Sequence, residues 1–335
     1  MTGVIGEPDP NDDRDRADTA PLIDTAPPVE DRLTTSAAAS VILLGLITVT
    51  GAAVRLTGSG LGCTDWPNCT DDSFAAPWEF HAWIEFGNRL VTGLVAIPVL
   101  LTFGLALARR ASRPGVLKWA TAVGLLTLLN ALVGAVTVRT ELTPEIVMLH
   151  FLLSIATIAT AVVCHDRARR GPDLTPIVAP PLQRMAQILP MLALLVLTTG
   201  TLVTGTGPHG GDPTATRFDF NLRTVAQLHS FTMWAFGLSA LGLALRLVRR
   251  RGPQDGTVDP LIRALGRLLL AVCVQGTIGY AQYLWGVPPL LVAAHVLGAV
   301  LVWWAALQLP LATSAPFADR RSGNRSGSKS AMMVT

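Results

Sequence analysis

The sequence predicts an all-α polytopic membrane protein, with eight transmembrane helices forming two tandem four-helix bundles related by a pseudo-twofold axis along the membrane normal. Three observations lead there. Half of the 335 residues are hydrophobic, only 15% are charged and the mean hydropathy is +0.46, a balance that excludes an ordinary soluble domain. Runs of about 20 apolar residues, enough to cross roughly 30 Å of hydrocarbon, recur along the chain and divide it into eight spans. The third observation is internal repetition. Gly134, Pro144 and His150 reappear as Gly279, Pro289 and His295, each displaced by 145 positions, and the side-chain amides of Asn130 and Gln275 keep the same offset.

Taken in order, residues 1–33 are rich in Asp, Pro, Thr and Ala and have no apolar core. They cannot bury enough surface to fold, and they lack the apolar segment of a signal peptide, so a disordered tail is expected. Spans beginning near Ser36, Trp83, Val116 and Ile146 build a first bundle over residues 34–170. Residues 171–185, with prolines at 172, 176, 180 and 181, read as a linker. Spans beginning near Ala186, Arg223, Ile262 and Pro289 build the second bundle over residues 186–312, and residues 313–335 form a second disordered tail. Thr57-Gly58-Ser59-Gly60 ends the first span as Thr204-Gly205-Thr206-Gly207 ends the fifth. Four helices per unit is an even number, so both units enter the membrane in the same sense, as parallel repeats do. Each bundle then has an interior able to hold a cofactor between facing helices.

Basic residues orient the chain, because short cytoplasmic loops retain Lys and Arg. Arg109, Arg110, Arg113 and Lys118 follow the second span, and Arg167, Arg169 and Arg170 follow the fourth. Arg249, Arg250 and Arg251 follow the sixth, and Arg320, Arg321, Arg325 and Lys329 follow the eighth. Both termini are therefore expected on the cytoplasmic side of the plasma membrane. The net charge of +3 reflects this topology, and no nucleic-acid partner is expected.

Histidine is expensive in lipid, and polar residues inside spans are functional candidates by default. His229 lies a few residues inside the sixth span, where the second span carries Asn88. Like His150 and His295, both stand near the outer ends of their helices, at roughly 6 to 10 Å depth for a rise of ~1.5 Å per residue. His229 and His295, on separate helices of one bundle, are placed to ligate one haem iron axially. The equivalent pair in the first bundle is Asn88 and His150, and a neutral amide is a poor iron ligand. An asymmetric protein follows, with one closed, electron-carrying site and a more open one where a haem is a substrate.

Glu85 is the one acid clearly within a span. Two readings stand beside each other: a structural pair with Arg89 at i+4, or a carboxylate aimed at the pocket between Asn88 and His150 that accepts protons. Its counterpart in the second bundle is Ala226, so the acid belongs to the open site alone. Cys63 and Cys69 flank Thr-Asp-Trp-Pro-Asn in the first outer loop, on the side where disulfides persist. They read as a structural clip or as a redox-active bridge. Cys164 and Cys273 read as small buried residues. His81 and His165 read as interfacial, whereas His209 sits in a glycine-rich outer turn on the haem side. Arg55, Arg139, Arg217 and Arg223 on the outer side are candidates for haem propionates or phospholipid heads.

These features together resemble the haem A synthase family. The resemblance rests on Val54-Arg-Leu-Thr-Gly-Ser-Gly-Leu-Gly-Cys63, Asp65-Trp-Pro-Asn-Cys69, Ile84-Glu85-Phe86, the Thr204-Gly-Thr-Gly-Pro-His-Gly-Gly-Asp212 loop and the histidine-bearing helices, from about Ala39 to Leu307. It implies that His229 and His295 ligate a haem B; of the outer arginines, Arg223 is the one expected to bind that cofactor. It implies that the first bundle binds haem O near His150, that Glu85 takes part in oxidising the methyl group at ring position 8, and that Cys63 and Cys69 form a disulfide supporting activity. The implied product is haem A for terminal oxidases, formed through successive hydroxylations with water-derived oxygen and an unassigned electron acceptor. Implied partners are haem O, the enzyme that supplies it, membrane lipid and, for an oligomer, further copies of the chain. Many family members carry histidine where this chain has Asn88. A b-type cytochrome exchanging electrons with quinone would use His229 and His295 in the same way but would not require Glu85. A transporter with the same repeats would not require histidines at one depth.

Overall fold

The computed structural model of the chain describes residues 31–250 and 259–316. Eight helices follow in chain order: α1 Arg32–Leu56, α2 Phe80–Ala108, α3 Val116–Arg139, α4 Pro144–Arg170, α5 Pro180–Thr206, α6 Leu222–Arg250, α7 Asp259–Leu284 and α8 Pro289–Leu311. All are long and apolar enough to cross a bilayer. Even α8, the shortest at 23 residues, reaches about 35 Å at ~1.5 Å per residue, beyond the hydrocarbon thickness. The chain is a multi-pass membrane protein.

Local sequence sets the helix ends. Prolines occupy the first turn of α4, α5 and α8, where the missing N–H would have no intrahelical partner. Gly171, at φ 77°, closes α4 in a conformation that favours glycine. Within α1–α4 each helix packs on the next and α4 returns to α1, and α5–α8 pack in the same way. The two sets meet where α1 and α4 lie against α5 and α8. One continuous core runs through all of this, with Phe236, Leu33, Ile155, Ile158 and Leu268 fully or almost fully buried. Trp303 of α8, buried in that core, donates its indole N–H to the Ile155 carbonyl of α4 at 3.0 Å, tying the two sets together. Outward faces are apolar too: Leu94, Ile97 and Leu100 of α2 and Leu125, Leu128 and Leu132 of α3 are exposed. Helices apolar all round belong to lipid.

Three boundaries differ from the sequence reading. Arg32 and Leu33, expected in the disordered tail, open α1, and Leu33 is wholly buried; its packing outweighs the polar composition around it. Helix α5 starts at Pro180, inside the expected linker, because Pro180 and Pro181 serve as its first turn. The segment after α8 is ordered through Pro316: strand β2 (Ser314–Pro316) pairs antiparallel with strand β1 (Leu174–Pro176), with Thr175 opposite Ala315. Arg170 Nη1 donates to the Ser314 carbonyl at 2.6 Å, which clamps the same strand. The expected tails over residues 1–30 and 317–335, and the basic loop residue Arg251, lie outside the described residues.

Trp303→Phe removes the α8–α4 hydrogen bond while keeping most of the volume, and should lower stability by about 1 kcal/mol; Trp303→Ala should cost about 3–5 kcal/mol. Thermal unfolding of the protein in detergent micelles, followed by circular dichroism, reads both. Equal midpoints for Trp303→Phe and the unaltered protein would mean that the indole bond contributes nothing.

Candidate functional site

Three histidines inside the helix bundles share one arrangement. A Cβ placed on Gly134 of α3 would stand 3.2 Å from His150 Cε1 of α4; on Gly200 of α5, 3.1 Å from His229 Cε1 of α6; and on Gly279 of α7, 2.9 Å from His295 Cε1 of α8. Each imidazole therefore turns its Cε1 edge to a glycine of the neighbouring helix, in space that any side chain would fill. The recurrence of glycine sixteen residues before His150 and His295 has this physical reason.

In the second set of helices the two histidines face each other. The rings of His229 and His295 are 6.3 Å apart between centroids, with planes at 79°. His229 Nδ1 lies 3.1 Å from the Val196 carbonyl and 3.2 Å from Thr199 Oγ1, and Thr199 Oγ1 continues to Thr232 Oγ1 at 2.9 Å. A carbonyl only accepts, so Nδ1 carries the proton and Nε2 keeps its lone pair. A neighbour that fixes the tautomer in this way makes a histidine ready for a metal. Gln275 Nε2 donates to the His295 carbonyl at 2.8 Å, anchoring that turn of α8, while His295 Nδ1 is buried without a hydrogen-bond partner among the described residues. Two metal–nitrogen bonds of about 2 Å, plus about 1.1 Å from each nitrogen to its ring centre, span roughly 6 Å, so the pair fits one metal atom between its rings. No group of three or more His, Cys, Asp or Glu side chains able to hold a bare ion occurs among the described residues. A metal held by two histidines alone needs a macrocycle for its other positions, as in haem.

The first set keeps half of this pattern. Asn130 Nδ2 donates to Ser154 Oγ at 2.7 Å, and Ser154 Oγ donates to the His150 carbonyl at 3.0 Å, a two-step version of the Gln275 anchor. Asn88 stands where α6 carries His229, and its Oδ1 accepts a hydrogen bond from Thr50 Oγ1 at 2.8 Å.

Glu85 is buried near the α1–α2 loop and both its oxygens are engaged. Oε1 pairs with Arg89 Nη2 at 2.7 Å, and Oε2 accepts the Cys63 backbone N–H at 2.7 Å. Arg89 also donates through Nη1 to the Asp65 and Asn68 carbonyls at 2.9 and 2.8 Å. The i+4 pair is thus real, and it does more than neutralise charge: it holds the loop closed by the Cys63–Cys69 disulfide onto α2. Arg139 of α3 braces the same loop through the Trp66 carbonyl at 3.2 Å. Beneath it, Cys63, Cys69, Ala76, Ala82 and Phe86 form a small core of their own, closed by edge-on contacts of Phe86 with Phe74 and Trp83.

The remaining outer residues tie loops together. Arg55 donates to the Thr204 carbonyl, the Gly60 amide donates to the Gly211 carbonyl at 2.8 Å, and His209 Nε2 meets the Val287 carbonyl at 2.9 Å. Arg217 caps the Pro208 carbonyl at 3.0 Å and leaves no room for a side chain at Gly210. Of the four outer arginines weighed as anion partners, Arg55, Arg139 and Arg217 are spent on carbonyls. Arg223 is exposed on the first turn of α6 with no ion pair among the described residues. His81 Nδ1 bonds Ser59 Oγ at 2.8 Å, and His165 lies within α4. Cys164 is buried as expected, but Cys273 is exposed, because it sits on the outward face of α7. Sequence reasoning noted Gly134 and Gly279 only as landmarks and passed over Gly200 and the brace from Arg139. The counterpart of Gly200 in the first half is Ala53, which is not a glycine, so the repeat could not reveal it.

Residues 35–307 match the COX15-CtaA family, described as cytochrome oxidase assembly protein. Among curated proteins, the chain is 34% identical over 109 residues to a heme A synthase of Oceanobacillus iheyensis, covering 32% of this chain and 35% of that protein. It is 31% identical over 121 residues to one of Bacillus cereus, covering 36% and 38%, and 35% identical over 106 residues to one of Geobacillus thermodenitrificans, covering 31% and 33%. These matches span about a third of the relatives' length. The family match, by contrast, takes in all eight helices apart from a few terminal residues, and the chain belongs to the COX15-CtaA family of cytochrome oxidase assembly proteins.

Proposed function

We propose that the protein is a haem A synthase, an oxidoreductase that converts the methyl group at ring position 8 of haem O to the formyl group of haem A. The observation that carries this reading is the facing pair His229 and His295, with ring centres 6.3 Å apart, alongside a first set of helices in which His150 is matched by Asn88 in place of a second histidine and α2 carries the buried carboxylate Glu85. In this reading the second bundle holds a resident haem B between His229 and His295. Arg223, the outer arginine not engaged by a carbonyl among the described residues, is a partner for its propionates. The first bundle receives haem O at His150. The two bundles are related by a pseudo-twofold axis, with both termini on the cytoplasmic side of the plasma membrane. Haem O, the enzyme that supplies it and membrane lipid are the partners this reading requires.

The resident haem supplies one-electron transfer. The overall conversion replaces a methyl by a formyl group through alcohol and geminal diol: one water enters, and four electrons and four protons leave. The electrons pass to an external acceptor. This chain's residues act on the protons and on position. Glu85 is the buried carboxylate available to accept a proton. Arg89 balances its charge and, with the Cys63 amide, fixes both oxygens. The disulfide loop, held by Arg89 and Arg139, closes the outer end of the first bundle and keeps bulk water from it. In this reading the Cys63–Cys69 bridge is structural: it sets the amide that positions Glu85. His229 keeps Nε2 available through its Val196 bond, and Gly200 and Gly279 give the two imidazoles their places.

Three outcomes are expected. Expressed in a host that makes haem O but no haem A, the chain should yield haem A or its hydroxylated intermediate, identified by chromatography and mass. Haem B alone, in membranes that contain haem O, would favour an electron-carrying cytochrome. His229→Ala or His295→Ala should abolish the low-spin bis-histidine absorption and electron-spin spectra of the purified protein; an intact spectrum would remove the ligand assignment. Glu85→Gln should leave those spectra unchanged while turnover falls by about 10²-fold or more, and full turnover would reduce Glu85 to a brace for the loop.

A further inference from the structure

We propose that in the first bundle Asn88 is a hydrogen-bond donor to a small exchangeable ligand opposite His150, not an iron ligand, and that Thr50 and Ala53 are the positioning residues that make it so. The proposal rests on the haem reading of that bundle given above.

Two independent features of α1 carry it. The first is the orientation of the amide. Thr50 Oγ1 has one proton, and its shorter contact is to Asn88 Oδ1 at 2.8 Å, against 3.2 Å to the Ile47 carbonyl. The amide oxygen is thereby occupied. Nδ2, which has two donors and no lone pair, has no partner among the described residues and is not sealed in the interior. Asn88 can offer N–H groups to a neighbour, while its one acceptor atom is already engaged by Thr50.

The second feature is the floor beneath the side chain. All three bundle histidines lie on a glycine, with Cε1 2.9–3.2 Å from where a Cβ would be. The offset of 147 that aligns Thr57-Gly58 with Thr204-Gly205 aligns Ala53 with Gly200, the glycine under His229. By this alignment the first bundle lacks both members of the pair: His229 with Gly200 becomes Asn88 with Ala53. Where Gly200 leaves room for the His229 ring, the matched position carries the methyl group of Ala53, which is exposed. The two changes are complementary, as expected if this side of the bundle is shaped for something smaller than imidazole.

The test uses the full-length protein purified with its haems. Sodium azide, titrated into the oxidised protein, should bind at one haem of the unaltered chain. Asn88→Leu, which keeps the bulk and loses the donors, should weaken azide about tenfold, as expected for a hydrogen bond to a charged group. In the reduced protein carbon monoxide should bind at the same haem, and Asn88→Leu should raise its C–O stretching frequency. Thr50→Val should move both readings in the same direction by a smaller amount. Asn88→His with Ala53→Gly should convert this haem to a low-spin bis-histidine spectrum, whereas Asn88→His alone should convert a smaller fraction. Unchanged azide affinity and C–O frequency in Asn88→Leu, or equal conversion with and without Ala53→Gly, would overturn the proposal and leave the haem reading intact. Unchanged total haem content in His150→Ala, with azide still bound, would overturn the haem reading of the first bundle and the proposal with it.

Discussion

An imidazole can stand between two tightly packed membrane helices only where the facing helix gives up a side chain, and the site depends on that constraint. Gly134, Gly200 and Gly279 each leave the space that His150, His229 and His295 occupy. With no water in the hydrocarbon, the polar atoms around these rings need partners within the protein. Thr199 and the Val196 carbonyl supply them for the His229 ring, and Asn130, Ser154 and Gln275 tie down the backbone carbonyls of His150 and His295. Packing and hydrogen bonding thus fix both where each ring sits and, for His229, which nitrogen is left for a metal.

A second constraint acts at the loop end. The α1–α2 loop is long and polar, yet it carries the amide that meets the buried carboxylate. Glu85 reaches up to Cys63, Arg89 reaches to Asp65 and Asn68, and Arg139 reaches to Trp66. Breaking one partner of a buried ion pair leaves an uncompensated charge, at about 3–5 kcal/mol. Glu85, Arg89 and the loop therefore stand or fall as a unit, and the structural and chemical readings of Glu85 are compatible. The bonds that orient the acid are the bonds that hold the loop.

Much of this was legible in advance, for identifiable reasons. The eight spans, and starts such as Val116 and Pro289, follow from the length of an apolar run and from proline at a first turn. The ordering of Ser314–Pro316 was not legible: its composition is that of a loop, and only pairing with Leu174–Pro176 and the Arg170 clamp fixes it. Cys273 was misjudged because a span that is apolar on every side does not reveal which face meets its neighbours.

The sequence by itself determined the membrane architecture, the recurrence of histidine with glycine and proline, and the family, since each depends on composition or spacing along one chain. The tertiary structure alone decided that His229 and His295 face each other with ring centres 6.3 Å apart. It also decided that the Glu85 carboxylate meets the Cys63 amide and that Thr50 turns the Asn88 amide. Those facts belong to pairs of helices, and a helix fixes only the angular order of its own side chains. Which of them meet depends on the close approach that small residues such as Gly200 and Gly279 allow.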